Sequence, residues 1–146
     1  MRRLAALRAL PRRDRLRLAE AAVATLALDV CLRLFPPRRC FALVSARGPG
    51  RPDPRLDPER LAALAEIADR HLPGRAGCLR RALVLARMLG RRGVATRIWI
   101  GVARDGRLLR AHAWLETAAG NFGAVEGAGF AWIPLAALPP GAPGGA

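Results

Sequence analysis

A chain of 146 residues, 52% of them hydrophobic, is long enough for one domain that buries about two-thirds of its unfolded surface around a real core. The formal net charge of +14 points to anionic partners at low salt, but all 25 basic residues are arginine and accompany 15 Gly and 12 Pro, so part of the charge is compositional background. With no Tyr and 5% aromatic residues the chain offers no platform for stacked bases, and a nucleic-acid partner is not expected.

Taken in order, residues 1–13 carry Arg2, Arg3, Arg8, Arg12 and Arg13 with no apolar signal-peptide region directly after them, which predicts a cytoplasmic chain. A helix is predicted over 14–35, with Asp29 and Arg33 one turn apart as a surface pair. Its uncharged interior, 21–28, is far shorter than the roughly 20 apolar residues of a membrane span. The expected role is docking on the core or on a partner subunit, not on a membrane surface. Pro36-Pro37 ends this helix, 38–46 reads as a short strand or a helical turn, and 48–58 is a Pro/Gly/Arg connector. The region 1–57 is therefore an N-terminal helical segment plus connector.

The catalytic-type core is placed at 58–138. Asp57 caps a helix whose first residue is Pro58, and Leu61, Leu64, Ala65, Ala68 and Leu72 form one apolar stripe that packs inward. His71 ends that helix as a capping or surface residue. Leu72-Pro73-Gly74 is a loop, and apolar residues over 79–89 recur at helical spacing, so Cys78 sits at a helix N-terminus. Arg80, Arg87 and Arg91 lie on one face of this helix, read as a solvated basic stripe or a docking surface for an acidic peptide. Gly90 and Gly93 stop it.

Val94, Thr96, Ile98, Ile100 and Val102 then alternate with other residues as a strand, and Asp105-Gly106 signals a hairpin. In the second strand Leu109, Ala111, Ala113 and Leu115 form an aliphatic face. His112 points the other way, with Arg110, Trp114 and Glu116. A short strand is predicted over 130–133, and a disordered Pro/Gly/Ala tail over 139–146. The sum is an α+β fold in which the Cys-bearing helix packs on a small antiparallel sheet of three or four strands, preceded by N-terminal helices.

The three cysteines, Cys31, Cys40 and Cys78, have no metal-ligand spacing, so no metal or other cofactor is expected, and in a cytoplasmic chain they suggest no disulfide framework. Cys31 reads as packing; Cys40 is ambiguous. A lone cysteine is ordinarily a small buried hydrophobe, and a lone histidine a hydrogen-bonded strand residue. Together they carry more. Unpaired N–H groups and the helix dipole at the start of a helix favour the thiolate, and a neutral imidazole can serve as base for a thiol.

The segments Cys-Leu-x-Arg-Ala-Leu from Cys78, Leu89 to Gly93, Ile100-Gly101-Val102 and Ala111-His112-Ala113-Trp114-Leu115-Glu116 resemble the stand-alone transglutaminase-like peptidase of lasso peptide biosynthesis. The resemblance implies a papain-like or transglutaminase-like core that removes the leader from a ribosomally made precursor, with Cys78 as nucleophile and His112 as base. It also implies a leader-recognition protein acting in trans and a macrolactam-forming cyclase as partners. The family's third residue is an Asp about a dozen positions after the His, where this chain has Ala124. A three-residue hairpin loop at 118–120 would pair Glu126 with His112 and make Glu126 the orienting group; a bulge would undo that register, and Asn121 is the runner-up. The competing expectation is a non-catalytic basic scaffold of the same fold that binds an acidic peptide or the cyclase.

Overall fold

The first helix, α1 (Arg12–Leu34), starts behind Pro11 and stops at Phe35, whose N–H closes on the Cys31 carbonyl at 2.8 Å just before Pro36 removes the next donor. In the computed structural model, which describes residues 9–36, 39–41, 44, 55–74, 77–123 and 133–138, two more helices follow: α2 (Pro58–His71) and α3 (Cys78–Gly90). Four strands complete the fold: β1 (Thr96–Asp105), β2 (Leu108–Thr117), β3 (Gly120–Phe122) and β4 (Ile133–Leu138). They form one antiparallel sheet in the order β3-β2-β1-β4.

Each helix buries one stripe. Ala21, Ala24, Thr25, Leu28 and Cys31 of α1 are buried, and the Thr25 hydroxyl donates to the Ala21 carbonyl at 2.8 Å, so its polar atom is satisfied inside the core. In α2 the Asp57 carboxylate accepts from the Arg60 N–H at 2.9 Å, the expected cap, and Leu61, Leu64, Ala65 and Ala68 face inward as the stripe predicts. The third helix is the central one. α1 and α2 pack on it from one side and β1 and β2 from the other, with Leu83, Met88, Leu89 and Leu115 almost wholly buried between them. Gly93, at φ 75°, turns the chain from α3 toward β1, a conformation that glycine adopts without strain.

The β1–β2 hairpin has a two-residue turn, with Gly106 at φ 59°, and pairs Gly101 with His112. The expected Asp29–Arg33 pair is present at 2.8 Å. Asp14 accepts from Arg60 at 2.8 and 3.0 Å and Glu20 from Arg92 at 2.6 Å, tying α1 to the other two helices.

Several expectations are corrected. Cys31 and Cys40 form a disulfide, because the chain turns back after Pro36 and brings their Cα atoms to 5.9 Å. Arg80 does not lie on a solvated stripe but is buried, held by acids of two other helices. Leu109 and Ala111 are exposed, since that end of the hairpin extends past the helices, and only Ala113 and Leu115 of the predicted aliphatic face are covered. The last strand lies at Ile133–Leu138, beside β1, whereas most of the predicted 130–133 span lies outside the described residues. Pro134 fits there because β4 is an edge strand, where a missing N–H breaks no ladder bond. Of 38–46, residues 39–41 and 44 are helical, so the helical alternative holds for those described; the tail 139–146 lies outside them.

Candidate active site

Gly77 precedes α3 in extended conformation and brings no side chain to cap it. The first helical bond runs from the Arg81 N–H to the Gly77 carbonyl at 3.1 Å, so the N–H groups of Cys78, Leu79 and Arg80 have no acceptor within the helix. No acidic residue stands in that first turn. The positive end of the helix therefore meets no acid of its own first turn beside Cys78. Cys78 is half-buried and is the free cysteine of the chain. It opens on a cleft whose walls come from Ala62 and Ala65 of α2, Leu85 of α3, Ala113 of β2, and Phe122 and Gly123 after the β2–β3 turn. On the α2 wall the small side chains Ala62, Ala63 and Ala65 leave room beside the sulfur, while Glu59 and Glu66 add carboxylates, Glu66 lying 3.7 Å from Arg81 of α3.

His112 is reached from the same end of the sheet. Its Nε2 lies 2.5 Å from the Gly123 carbonyl, and a carbonyl can only accept, so Nε2 carries the hydrogen and in the neutral ring the lone pair is on Nδ1. Ala113, the next residue, and Gly123, the acceptor, both line the cleft of Cys78. The imidazole itself belongs to the other pleat face. There it stacks on Trp114 at 6.3 Å between ring centroids; Trp114 stacks on Trp99 at 6.5 Å, and the Arg97 guanidinium lies 5.8 Å above Trp99. The Trp99 indole N–H donates to Glu116 at 2.6 Å, which fixes the row at its far end.

Gly101 makes that row possible. A Cβ at this position would come within 2.8 Å of the Trp114 ring and 3.0 Å of the Ile133 carbonyl, so only glycine lets the indole lie flat across β1 opposite His112. In the sequence Trp114 stands beside His112 and Gly101 lies within a motif, but neither announces a positioning role, and Gly123 carries no signal. The signal present was a glycine inside a strand beside a tryptophan-bearing partner strand.

The start of α3 is itself anchored. Arg80, two residues after the thiol and 4% exposed, donates from Nε to Asp69 of α2 at 2.6 Å, with Asp29 of α1 3.5 Å away and the Pro73 carbonyl at 3.4 Å. One guanidinium therefore ties the nucleophile's turn to both neighbouring helices.

The remaining sequence candidates fall elsewhere. The β2–β3 loop is two residues long, pairing Thr117 with Gly120 and Glu116 with Asn121, so the register differs by one from that which would set Glu126 opposite His112. Glu126 lies outside the described residues. Asn121 is exposed and faces Glu116 across the ladder, not His112. His71, exposed, bonds the Ile67 carbonyl at 2.8 Å as a helix-end residue. Among the described residues no three His, Cys, Asp or Glu side chains gather as a metal site.

Residues 22–128, about three-quarters of the chain, match the transglutaminase-like superfamily, and the match contains Cys78, His112 and every element from the middle of α1 to β3. The chain belongs to the transglutaminase-like superfamily. No curated protein and no solved structure matches it. The superfamily is generally one of cysteine peptidases and transferases, and its fold, a Cys-bearing helix against a small antiparallel sheet, is the one found here. As a transglutaminase-like chain it has no helix, among the described residues, long and apolar enough to cross a membrane.

Proposed function

We propose that this chain is a cysteine peptidase that removes the leader from a ribosomally made lasso peptide precursor. The observation that carries the reading is the half-buried Cys78 at an uncapped helix start, opening on a cleft bordered by Gly123, whose carbonyl holds His112 from the other pleat face, in a chain of the transglutaminase-like superfamily. The Cys78 thiolate attacks the scissile carbonyl carbon, the C–N bond breaks, and His112 gives its proton to the leaving amine. The resulting thioester is then hydrolysed by water, whose proton returns to His112. An N–H at the start of α3 stabilises the oxyanion. Glu126 is the acid proposed, from a three-residue hairpin loop, to orient the imidazole in place of the resembled family's Asp; the two-residue β2–β3 loop lends that register no support.

Proton transfer of this kind contributes about 10²–10⁴-fold, so His112→Ala should lose about that much rate. The leader-recognition protein in trans and the cyclase are the proposed partners. The test is mass-spectrometric assay of precursor cleavage with the recognition protein present. Cys78→Ala should abolish leader release, and cleavage by a folded Cys78→Ala protein would refute the assignment and favour a non-catalytic scaffold.

A further inference from the structure

At the far end of α3 from Cys78 the molecule carries a second concave surface that catalysis does not use. Met88 is ten residues beyond the nucleophile, hence about 15 Å along the helix at 1.5 Å per residue. Here α1 and α3 enclose a groove floored by Ala19, Ala24, Ala27 and Met88, with Val23 on its edge. The depression continues toward the start of α1, past Glu20 and Arg92 to Leu16. Its floor is apolar and made largely of alanines, so another backbone can come close.

The outer edge of the groove is apolar at Leu16 and Val23, and the stripe they begin continues past the groove along α1: Leu16, Val23, Val30 and Leu34 recur at nearly whole helical turns and are 65%, 67%, 52% and 70% exposed. The same helix buries its opposite face in the core, so α1 is apolar on two sides and only one of them is covered by this chain. A continuous apolar strip of this length on a soluble surface marks an interaction site.

The rim is basic. Arg87 and Arg91 of α3 border the deeper part, and Arg12, Arg13 and Arg17 of α1 the shallower part. The acid within it, Glu20, is taken up by Arg92 at 2.6 Å and approached by Arg91 at 3.8 Å. Arg17 is itself paired with Asp14 at 4.0 Å, but Arg12, Arg13, Arg87 and Arg91 still outnumber Glu20, so an incoming partner meets positive charge beside an apolar floor.

From this complementarity we propose that the α1–α3 groove docks an amphipathic helix of a partner protein, its apolar ridge on the alanine floor and its flanks acidic. A third helix laid between two others at 8–10 Å needs small residues at the contact, and Ala19, Ala24 and Ala27 provide them. The rim charges then select an acidic helix over a basic one, steering its approach as well as holding it. The inference is independent of whether Cys78 performs peptide cleavage.

The test is fluorescence anisotropy with the full chain and three labelled helical peptides built of Leu with Glu, of Leu with Lys, and of Ala with Glu. The Leu/Glu peptide should bind saturably, and the other two at least tenfold more weakly. Ala27→Arg fills the floor while adding positive charge, and should weaken the Leu/Glu peptide at least tenfold. Arg91→Glu should do the same, whereas Arg104→Glu on the distant hairpin, an equal change in net charge, should alter binding less than twofold. Wild-type binding by a folded Ala27→Arg protein, or equal losses from Arg91→Glu and Arg104→Glu, would overturn the proposal. Should Ala27→Arg not fold, the arginine comparison alone decides. Two other occupants would also overturn it. One is a dimer seen by sedimentation velocity that Val23→Glu makes monomeric; the other is tight binding to phosphatidylglycerol vesicles that Val23→Glu abolishes while peptide binding persists.

Discussion

Trp114 and Gly101 decide how His112 is held, and neither carries chemistry of its own. The imidazole is fixed by a main-chain acceptor at Gly123 and by the indole plane at its side, while the absent side chain of Gly101 gives that plane its seat. Gly101→Ala would drive a methyl group to 2.8 Å from the Trp114 ring, with the Ile133 carbonyl blocking retreat on the other side. Overpacking of this sort typically costs about 1–3 kcal/mol. We expect a lower urea midpoint, an altered near-ultraviolet tryptophan spectrum and, under the proposed function, leader cleavage reduced about tenfold or more. An unchanged spectrum with unchanged cleavage would show that the indole does not position the histidine.

Among the elements, α3 bears the most constraint, since its N-terminal turn presents the thiol while its second turn fills the core. Arg80 binds that turn to α1 and α2 through Asp29 and Asp69. Removing one partner of a buried pair leaves a charge without its counterpart, at a cost of about 3–5 kcal/mol, whereas replacing both with apolar residues of similar size costs much less. Asp69→Asn should therefore lower stability in urea unfolding, by less than that amount because Asp29 stays 3.5 Å from the guanidinium, and the double variant Asp69→Leu with Arg80→Met should recover most of it. A single variant as stable as wild type would remove the anchor from the account.

The helices were legible in the sequence to within two residues because their signals are local: the Asp57 cap, Pro58, the stripe from Leu61, the glycines after Leu89. The β1–β2 hairpin was legible for the same reason. Burial of Arg80 was not, because its partners lie on two helices 11 and more residues away and no periodicity announces them. Nor was the β2–β3 register, where a loop one residue shorter than expected moves every partner by one and sets Asn121 opposite Glu116. Cys78 and His112 could be singled out by type and setting, yet the groups that hold them come from contacts across the sheet and between helices.

Over the whole molecule, one covalent link joins the end of α1 to the segment after Pro36-Pro37. The Cys31–Cys40 disulfide closes a loop of sequence separation 9, and both sulfurs are buried, Cys31 8% and Cys40 0% exposed, which keeps exchange partners away. In the chain-entropy view a loop this short contributes about 2–3 kcal/mol. The denatured chain should show one titratable thiol without reductant and three after reduction, and reduction should lower the thermal midpoint of the native protein. Three thiols without reductant would contradict the disulfide.

The same arithmetic leaves Cys78 as the free thiol, which gives the account its most direct test. Iodoacetamide alkylation of Cys78 at neutral pH, followed by mass spectrometry without reductant, reads the thiol's reactivity with no substrate or partner in the tube. Wild-type Cys78 is expected to react at least tenfold faster than Cys78 in a folded His112→Ala protein. Equal rates in the two proteins would mean that imidazole and sulfur do not work as a pair, and the catalytic reading would fall.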